Sequence, residues 1–459
     1  MLRRILPSPI YEYLNMSKRR RKHELQMNIW FMPAIYIAIS TLLVVATLLL
    51  DLYVDISQYT PNLFQSQASL TRVLVSSLIG AILTLSAYTL NSILIVLTTF
   101  SGQFSPRLLL NFISDRKTQH ILGIFNGSFV YVLFVFLFIS NQADETFVAV
   151  PVSTVLLAFV CAVTFIYFIN HATTWMQVHN ITLNMRNVSE RMLKNSLEKE
   201  MAPLRTNDSL GQEEQLHNHN WTTLYTHKTG YVQLVDFKQM VEEAKKDDLI
   251  IRLEAPIGKW LLRGNPLLSY QWNTSSEIDE RKYQSLIDIG HKQTEIQDIE
   301  HGLNKLSEVG IKALGNDDPK TAANVINQLS DLLLTISTLM SKNPYLVDEN
   351  EQLRVIVPES SFEYYLYKGF GYIRHYATGN VPIITDIISS LTCLAKSIHP
   401  SFHQCIWELA CNTTSGFTNM HIYELDERYL LRSLEELAEV TNNLDHFYQV
   451  KNSIQSTPA

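Results

Sequence analysis

Cysteine is scarce in this chain of 459 residues, which carries only Cys161, Cys393, Cys405 and Cys411. None forms a Cys-x-x-Cys pair and none has a patterned histidine beside it. Zinc and redox chemistry therefore lack a foothold, and the thiols read as unpaired and buried. An excess of one charge is missing too. The formal net charge is −7 with no overall basic surplus, which argues against nucleic acid as a partner. Catalytic signatures are absent as well: there is no nucleophile elbow, phosphate-cradling loop, metal-ligand helix or kinase-like set. An enzyme is not expected, and nothing in the sequence asks for a cofactor or a metal.

What charge there is stays out of four long runs. Residues 27–50, 73–100, 121–140 and 147–170 contain no Asp, Glu, Lys or Arg. A membrane-spanning helix needs about 20 apolar residues, and each run meets that length. The first is too long for a signal-peptide core and has no small-residue cleavage site, so it reads as a retained anchor. Basic residues set the expected orientation, because they favour the cytoplasmic side. Arg3, Arg4 and the cluster Lys18, Arg19, Arg20, Arg21 and Lys22 precede the first run. Arg107, Arg116 and Lys117 lie between the second and third, and Arg186, Arg191 and Lys194 follow the fourth. The loop at 51–72 holds only Arg72 at its end, and the loop with Asp144 and Glu145 holds no basic residue. Both termini are thus expected in the cytoplasm. The expected fold class is an integral membrane protein, mainly α, with a four-helix transmembrane region followed by a cytoplasmic region that combines a small β-module with a helical domain.

The second run carries a polar stripe. Ser77, Thr84, Tyr88, Asn91 and Thr98 follow one another at spacings of 7, 4, 3 and 7, with Gly80 on the same face. Such a face avoids lipid, so it meets other helices or water. Interhelical hydrogen bonding and pore lining are the two readings. No carboxylate, His or Lys sits inside the four runs, which argues against ion-coupled transport. Past the second run, Phe104, Ser105, Pro106 and Arg107 form a helix start and an amphipathic piece suited to the cytoplasmic interface.

The remainder has the composition of a soluble protein. Its expected divisions are a basic tail at 1–26, the membrane domain at 27–170, and a membrane-proximal helix and polar linker at 171–220. A β-rich module at 221–272 and a helical domain at 273–459 complete the chain. The linker's His217 and His219 lack a third ligand and read as solvated. In the β-module, 231–235 and 249–253 are strand-like, with a helix at 237–246 capped by Asp236 between them. Gly258 and Gly264 give it the look of a barrel-sandwich module without an exposed hairpin lysine for cofactor attachment. One long helix is expected at 277–314, and a new one at Pro319 with Asp318 as cap and Thr321 in its first turn. An isolated strand is expected at 353–357, then helices at 361–378, 381–398 and 423–450 and a shorter one at 402–411. The aromatic stripe of Phe362, Tyr364, Tyr365, Tyr367, Phe370, Tyr372 and Tyr376 reads as core.

The run Phe104-Ser105-Pro106-Arg107-Leu108-Leu109, then Asn111-Phe112, Asp115-Arg116, Thr118-Gln119, Leu122-Gly123 and Phe129-Val130-Tyr131, resembles a bacterial family of predicted membrane proteins, domain of unknown function 2254. So do Gly230-Tyr231-Val232 with Gly258 and Gly264, and Gly302-Leu303 leading to Ala313-Leu314 and Asp318-Pro319-Lys320-Thr321-Ala322. The chain departs from the family at 314–318, where its turn is shorter. The resemblance implies a bacterial inner-membrane location and no established activity. Functionally, the expectation is an oligomeric channel or channel-like regulator controlled by its cytoplasmic domain, with the polar stripe lining the path. The alternative is a membrane-anchored sensor or scaffold that binds a cytoplasmic protein or small ligand. The expected partners are the lipid bilayer and further copies of the same chain.

Overall fold

The computed structural model describes residues 28, 30–54, 56–61, 64–103, 115–139, 146–175, 177–205, 221–272, 278–294, 296–340, 343–358, 360–417 and 422–455. The basic N-terminal cluster, Phe104, Ser105, Pro106 and Arg107, the loop acids Asp144 and Glu145, and the pair His217 and His219 lie outside the described residues. The chain divides into two compact units, Met1–Gln177 and Val178–Ala459.

The first unit is built from four helices: α1 (Phe31–Leu52), α2 (Ala68–Gln103), α3 (Arg116–Phe138) and α4 (Ala149–Trp175). Each is long and apolar enough to cross a membrane. At 1.5 Å per residue even the shortest spans about 33 Å, against a hydrocarbon core of about 30 Å. Two-residue strands, β1 (Ser66–Gln67) and β2 (Thr146–Phe147), pair antiparallel and bring the starts of α2 and α4 together. Outward faces carry exposed Leu42, Leu94, Leu137, Phe159 and Ile166, while Thr47, Asp51, Thr89, Thr118, Gln119 and His171 are buried.

Close approach of α1 to α3 depends on Gly123 and Gly127, one turn apart on α3. A Cβ at Gly123 would overlap the Tyr36 ring, and one at Gly127 would lie 2.8 Å from Ser40 Oγ and 3.0 Å from the Tyr36 carbonyl. Small residues at this spacing let helix backbones pack closely in apolar surroundings. The same interface is tied by Tyr131, whose hydroxyl donates to Thr47 Oγ1 at 3.2 Å.

The second unit opens with α5 (Val178–Leu193), which lies in the stretch expected to hold a membrane-proximal helix. Ten-residue helix α6 (Phe237–Lys246) follows strands β3 (Thr222–Tyr225) and β4 (Gly230–Val235), with Asp236 capping it through the Gln239 N–H. Then come β5 (Leu249–Leu253), β6 (Trp260–Leu261) and β7 (Pro266–Trp272). The single helix expected at 277–314 is instead α7 (Glu280–Ser285), β8 (Ile287–Gly290) and α8 (Ile299–Gly315). The reason is local: Ile287 and Ile289 alternate with half-buried neighbours and pair with β4, and Asp298 starts the true helix as its cap.

Beyond α9 (Pro319–Met340) lie β9 (Tyr345–Val347) and β10 (Leu353–Ile356). The strand expected to stand alone at 353–357 is inserted in a sheet of order β3-β7-β5-β10-β9, parallel to β5 and antiparallel to β9. A second sheet has the order β6-β4-β8. The β-layer thus draws on residues well beyond 221–272. Around their shared core gather Met240, Ile251, Leu268, Leu346 and Val355. The chain ends in α10 (Phe362–Tyr376), α11 (Val381–Ser397), α12 (His403–Thr414), α13 (Glu424–Thr441) and α14 (Leu444–Gln455). The expected helix at 423–450 is split because Asn442 adopts left-handed φ of 59° and ends α13.

Candidate functional site in the second unit

A cleft of about 400 Å³ opens in the second unit. One wall is the turn Pro256-Ile257-Gly258-Lys259 and another is the first turn of α8. The end of α9, then Val357, Pro358 and Ser360 after β10, and the start of α10 complete it. Leu253, Ile257, Ile336, Leu339 and Val357 give it an apolar lining, and Arg205, Lys259, Glu300 and Tyr364 bring polar groups. Small-molecule sites characteristically combine an apolar lining with a few placed polar groups in volumes of roughly 300–1,000 Å³.

Gly258 locks the turn onto α8. Its φ of +87° is open to glycine, and a Cβ there would sit 2.5–2.6 Å from the carboxyl atoms of Asp298. Asp298 accepts a hydrogen bond from the His301 N–H at 3.1 Å through Oδ1. Its Oδ2 is buried without a hydrogen-bond partner. Burial raises this carboxyl to about 7, and the neighbouring Glu300 charge adds to the effect.

Glu300 is different. Burial pushes its carboxyl up, but Lys368, Tyr364 and Asn304 outweigh that and hold it below the usual carboxylate range. Lys368 Nζ lies 2.7 Å from Glu300 Oε1, and the Tyr364 hydroxyl donates to Oε2 at 2.6 Å. Burial also pushes the Tyr365 phenol up to about 12, so it stays a neutral donor on the cleft wall.

The cleft shares one stretch with the residues singled out from sequence, the aromatic helix. Of its stripe, Phe362 and Phe370 are buried, whereas Tyr367, Tyr372 and Tyr376 are more than half exposed. The stripe is therefore not all core: the core face is Phe362, Leu366, Phe370 and Ile373, and Tyr367, Tyr372 and Tyr376 turn outward. Asp318 caps α9, accepting from the Thr321 N–H at 3.1 Å, and Pro319 is the helix's first residue.

Ser77, Thr84, Tyr88, Asn91 and Thr98 all lie exposed along α2. The opposite face, with Thr71, Val75, Ile82, Thr89 and Val96, packs within the unit. Three stripe hydroxyls donate to their own helix: Ser77 to the Val73 carbonyl, Thr84 to Gly80 and Thr98 to Ile95. Tyr88 meets the Phe165 ring edge-on at 5.6 Å.

Sequence reasoning missed the ionisable groups inside the long helices. Asp51, read as a loop residue, belongs to α1 and is buried. Its carboxylate accepts the N–H groups of Val148, Ala149 and Val150 at 3.2, 2.7 and 2.8 Å, capping α4 from another helix. At the other end of α4, buried His171 Nε2 lies 3.1 Å from Asp115 Oδ2 and 3.3 Å from Thr118 Oγ1. Tyr36 and His120 meet at 3.1 Å nearby. The signal was the position of Asp51 and His171 immediately beside charge-free runs.

A family model described as a predicted membrane protein, DUF2254, matches residues 26–393 and so reaches through both units. The chain belongs to that family. Of the residues that carry the resemblance in the sequence, Thr118, Gln119, Gly123 and Tyr131 are buried within the first unit. Two uncharacterized proteins of Mycobacterium tuberculosis and one of Mycobacterium bovis are 26% identical to this chain over 330 residues. That alignment covers 66% of this chain and 59% of each relative, so the chain spans about three-fifths of the length of the curated relatives it matches. No solved structure matches the chain.

Proposed function

We propose that this DUF2254 protein is a membrane-anchored sensor whose second unit takes up a small apolar molecule in the cleft beside α8. The observation that carries this reading is the cleft itself: about 400 Å³, apolar within, with charged groups among its lining. The four long helices anchor the chain in the bacterial inner membrane. Both termini face the cytoplasm in this reading, supported by the basic clusters that flank the apolar runs. The test uses the full chain in lipid nanodiscs, titrated calorimetrically with eight-carbon amphiphiles. Ile257→Trp, which fills the cleft from a half-buried position on the turn, should abolish a response that the wild type gives. Equal responses from both, with Ile257→Trp folded by circular dichroism, would sink the reading.

A second reading is the oligomeric channel, favoured by the exposed polar face of α2, whose Asn91 and hydroxyls are available to neighbouring copies. It expects a closed ring by particle mass and unitary currents that change in Asn91→Leu. A monomer without conductance in the same nanodiscs excludes it.

A further inference from the structure

We infer that one end of the β-layer in the second unit docks on an anionic phospholipid surface, through the paired turns at 226–229 and 262–265. This rests on the membrane anchoring proposed above and not on what the cleft binds. Local composition points to it first. Residues 222–235 and 255–272 contain no Asp or Glu and carry Lys228, Lys259 and Arg263, in a chain whose net charge is −7. The acids at their borders are engaged elsewhere: Glu254 lies 2.9 Å from Arg252, and Asp236 caps α6 by accepting the Gln239 N–H.

The two turns are laced together. Leu262-Arg263-Gly264-Asn265 closes through the Asn265 N–H, which donates to the Leu262 carbonyl at 2.9 Å. Gly264 supplies the positive φ, 90°, that the third position of such a turn requires. Between the turns, the Thr226 N–H donates to the Asn265 carbonyl and the Gly264 N–H to the Thr226 carbonyl, each at 2.9 Å. The Arg263 N–H donates to Thr229 Oγ1 at 3.0 Å, and the Lys228 N–H to Thr226 Oγ1 at 3.1 Å. Lys228 and Arg263 therefore ride on a braced double turn. Both are exposed, and neither makes an ion pair among the described residues.

Apolar groups stand beside these cations. Leu261 of β6 is buried, whereas Trp260 and Leu262 on either side of it are 45% and 58% exposed. Tyr225, opposite Pro266 at the end of β3, is 52% exposed. The Tyr231 ring meets Trp260 edge-on at 4.7 Å across the β4–β6 pair and steadies the indole. A turn that faces bulk water gains nothing by exposing an indole and a leucine. At a bilayer surface Trp and Tyr settle at the level of the headgroups, while Lys and Arg extend to the phosphates. An anionic leaflet presents one sign of charge over its whole area, and this patch presents only the other. Lys259, next to Trp260, also lines the cleft, so the docked end brings the edge of the cleft to the lipid.

The experiment places the full chain in nanodiscs of phosphatidylcholine, alone or mixed with phosphatidylglycerol. Each disc carries a trace of phosphatidylcholine with a diazirine near its acyl carbonyl, and photo-crosslinks are mapped by peptide mass spectrometry. Helices α1 to α4 report the anchoring in both discs. Labels should also reach Trp260 and Leu262, about tenfold more in the anionic discs than in the zwitterionic ones, since each cation at an anionic surface is worth about fivefold. Lys228→Gln combined with Arg263→Gln changes two exposed side chains and keeps the turns' backbone hydrogen bonds. It should lower labelling of the double turn about tenfold in anionic discs and leave the helices labelled as before. Leu262→Ser should lower it as well. Equal labelling of the double turn in the two discs, labelling unchanged in the double variant, or labelled helices beside an unlabelled double turn overturns the docking while the anchoring stands. In that last case, poly-glutamate that binds the wild type and not the double variant assigns the patch to an acidic protein instead. Unlabelled helices remove the anchoring reading, and a double turn unlabelled with them removes the docking too.

Discussion

The two units differ in what they leave exposed. In the first, Thr47, Asp51, Thr89, Thr118, Gln119 and His171 are inside, and Leu42, Leu137, Phe159 and Ile166 are outside. In the second, Leu, Ile, Val and Phe fill the interior, from Ile251 and Val355 in the sheet to Leu332 and Ile387 in the helices, and polar groups such as Gln233, Asp298, Asp348 and Arg354 are buried among them. The exposed apolar faces of the first unit suit apolar surroundings, and the family is one of predicted membrane proteins. Where the surroundings are apolar, burying apolar surface between helices returns little, and packing and polar contacts must supply the specificity. Where the surroundings are water, each buried Leu or Ile stabilises by about 1.5–3 kcal/mol and the polar groups move outward.

The sharpest way to break this contrast is Gly123→Leu. In the first unit the close contact of α1 with α3 leaves no room for a side chain against the Tyr36 ring. We expect a loss of about 3 kcal/mol or more, read as unfolding in mixed micelles by circular dichroism. A stability close to wild type would show that apolar burial, not close packing, holds these helices.

Asp51→Ala comes next. It strips the acceptor from three backbone N–H groups at the start of α4. The expected cost is about 2 kcal/mol, because buried donors left unmade are expensive. Its counterpart on the exposed face of the same bundle, Thr84→Ala, should cost less than about 0.5 kcal/mol, since that hydroxyl only donates to its own helix at Gly80.

Asp298→Asn probes a buried polar group of the second unit. Burial raises this carboxyl from 3.8 to about 7. The folded state therefore keeps a proton that the unfolded chain releases across that interval. Stability from this group is full below the unfolded value, falls as pH rises towards the folded one, and is level above it. The slope is at most about 1.4 kcal/mol per pH unit. Asn keeps an acceptor for the His301 N–H and carries no titrating proton. The stability difference between variant and wild type should therefore shift in favour of the variant by about 1–3 kcal/mol between pH 5 and pH 7. A difference constant with pH would mean Asp298 titrates as an ordinary carboxylate.

Legibility in the sequence differed between the units for the same reason. Four charge-free apolar runs announce four long helices directly, because few other structures demand such composition. The first run's end was misread at Asp51, since a rule that closes a span at the first ionisable residue cannot see that the group caps another helix from inside. Gly123 and Gly127 were visible as a four-residue spacing and went unread. In the second unit the local signals held where chemistry is local: Asp236 and Asp318 cap the helices expected of them. They failed where pairing is distant. Nothing in Ile287-Asp288-Ile289 announces that β4 is its partner, and a short apolar strand reads like one more helical turn until that partner is known. The candidate cleft was illegible for the same cause, because Arg205, Lys259, Glu300 and Val357 are neighbours through the fold alone.

The parallel pairing of β5 with β10 also sets an order of events during synthesis. Strand β5 is made early, and Ile251 waits for Val355, about a hundred residues further on, before its second edge closes. While α8 and α9 emerge from the ribosome, that row of backbone donors and acceptors remains open, a template for any other extended segment in reach. A chain halted before Leu353 keeps this edge bare, so premature termination in α9 should yield an aggregating product, whereas termination after α10 leaves the sheet complete.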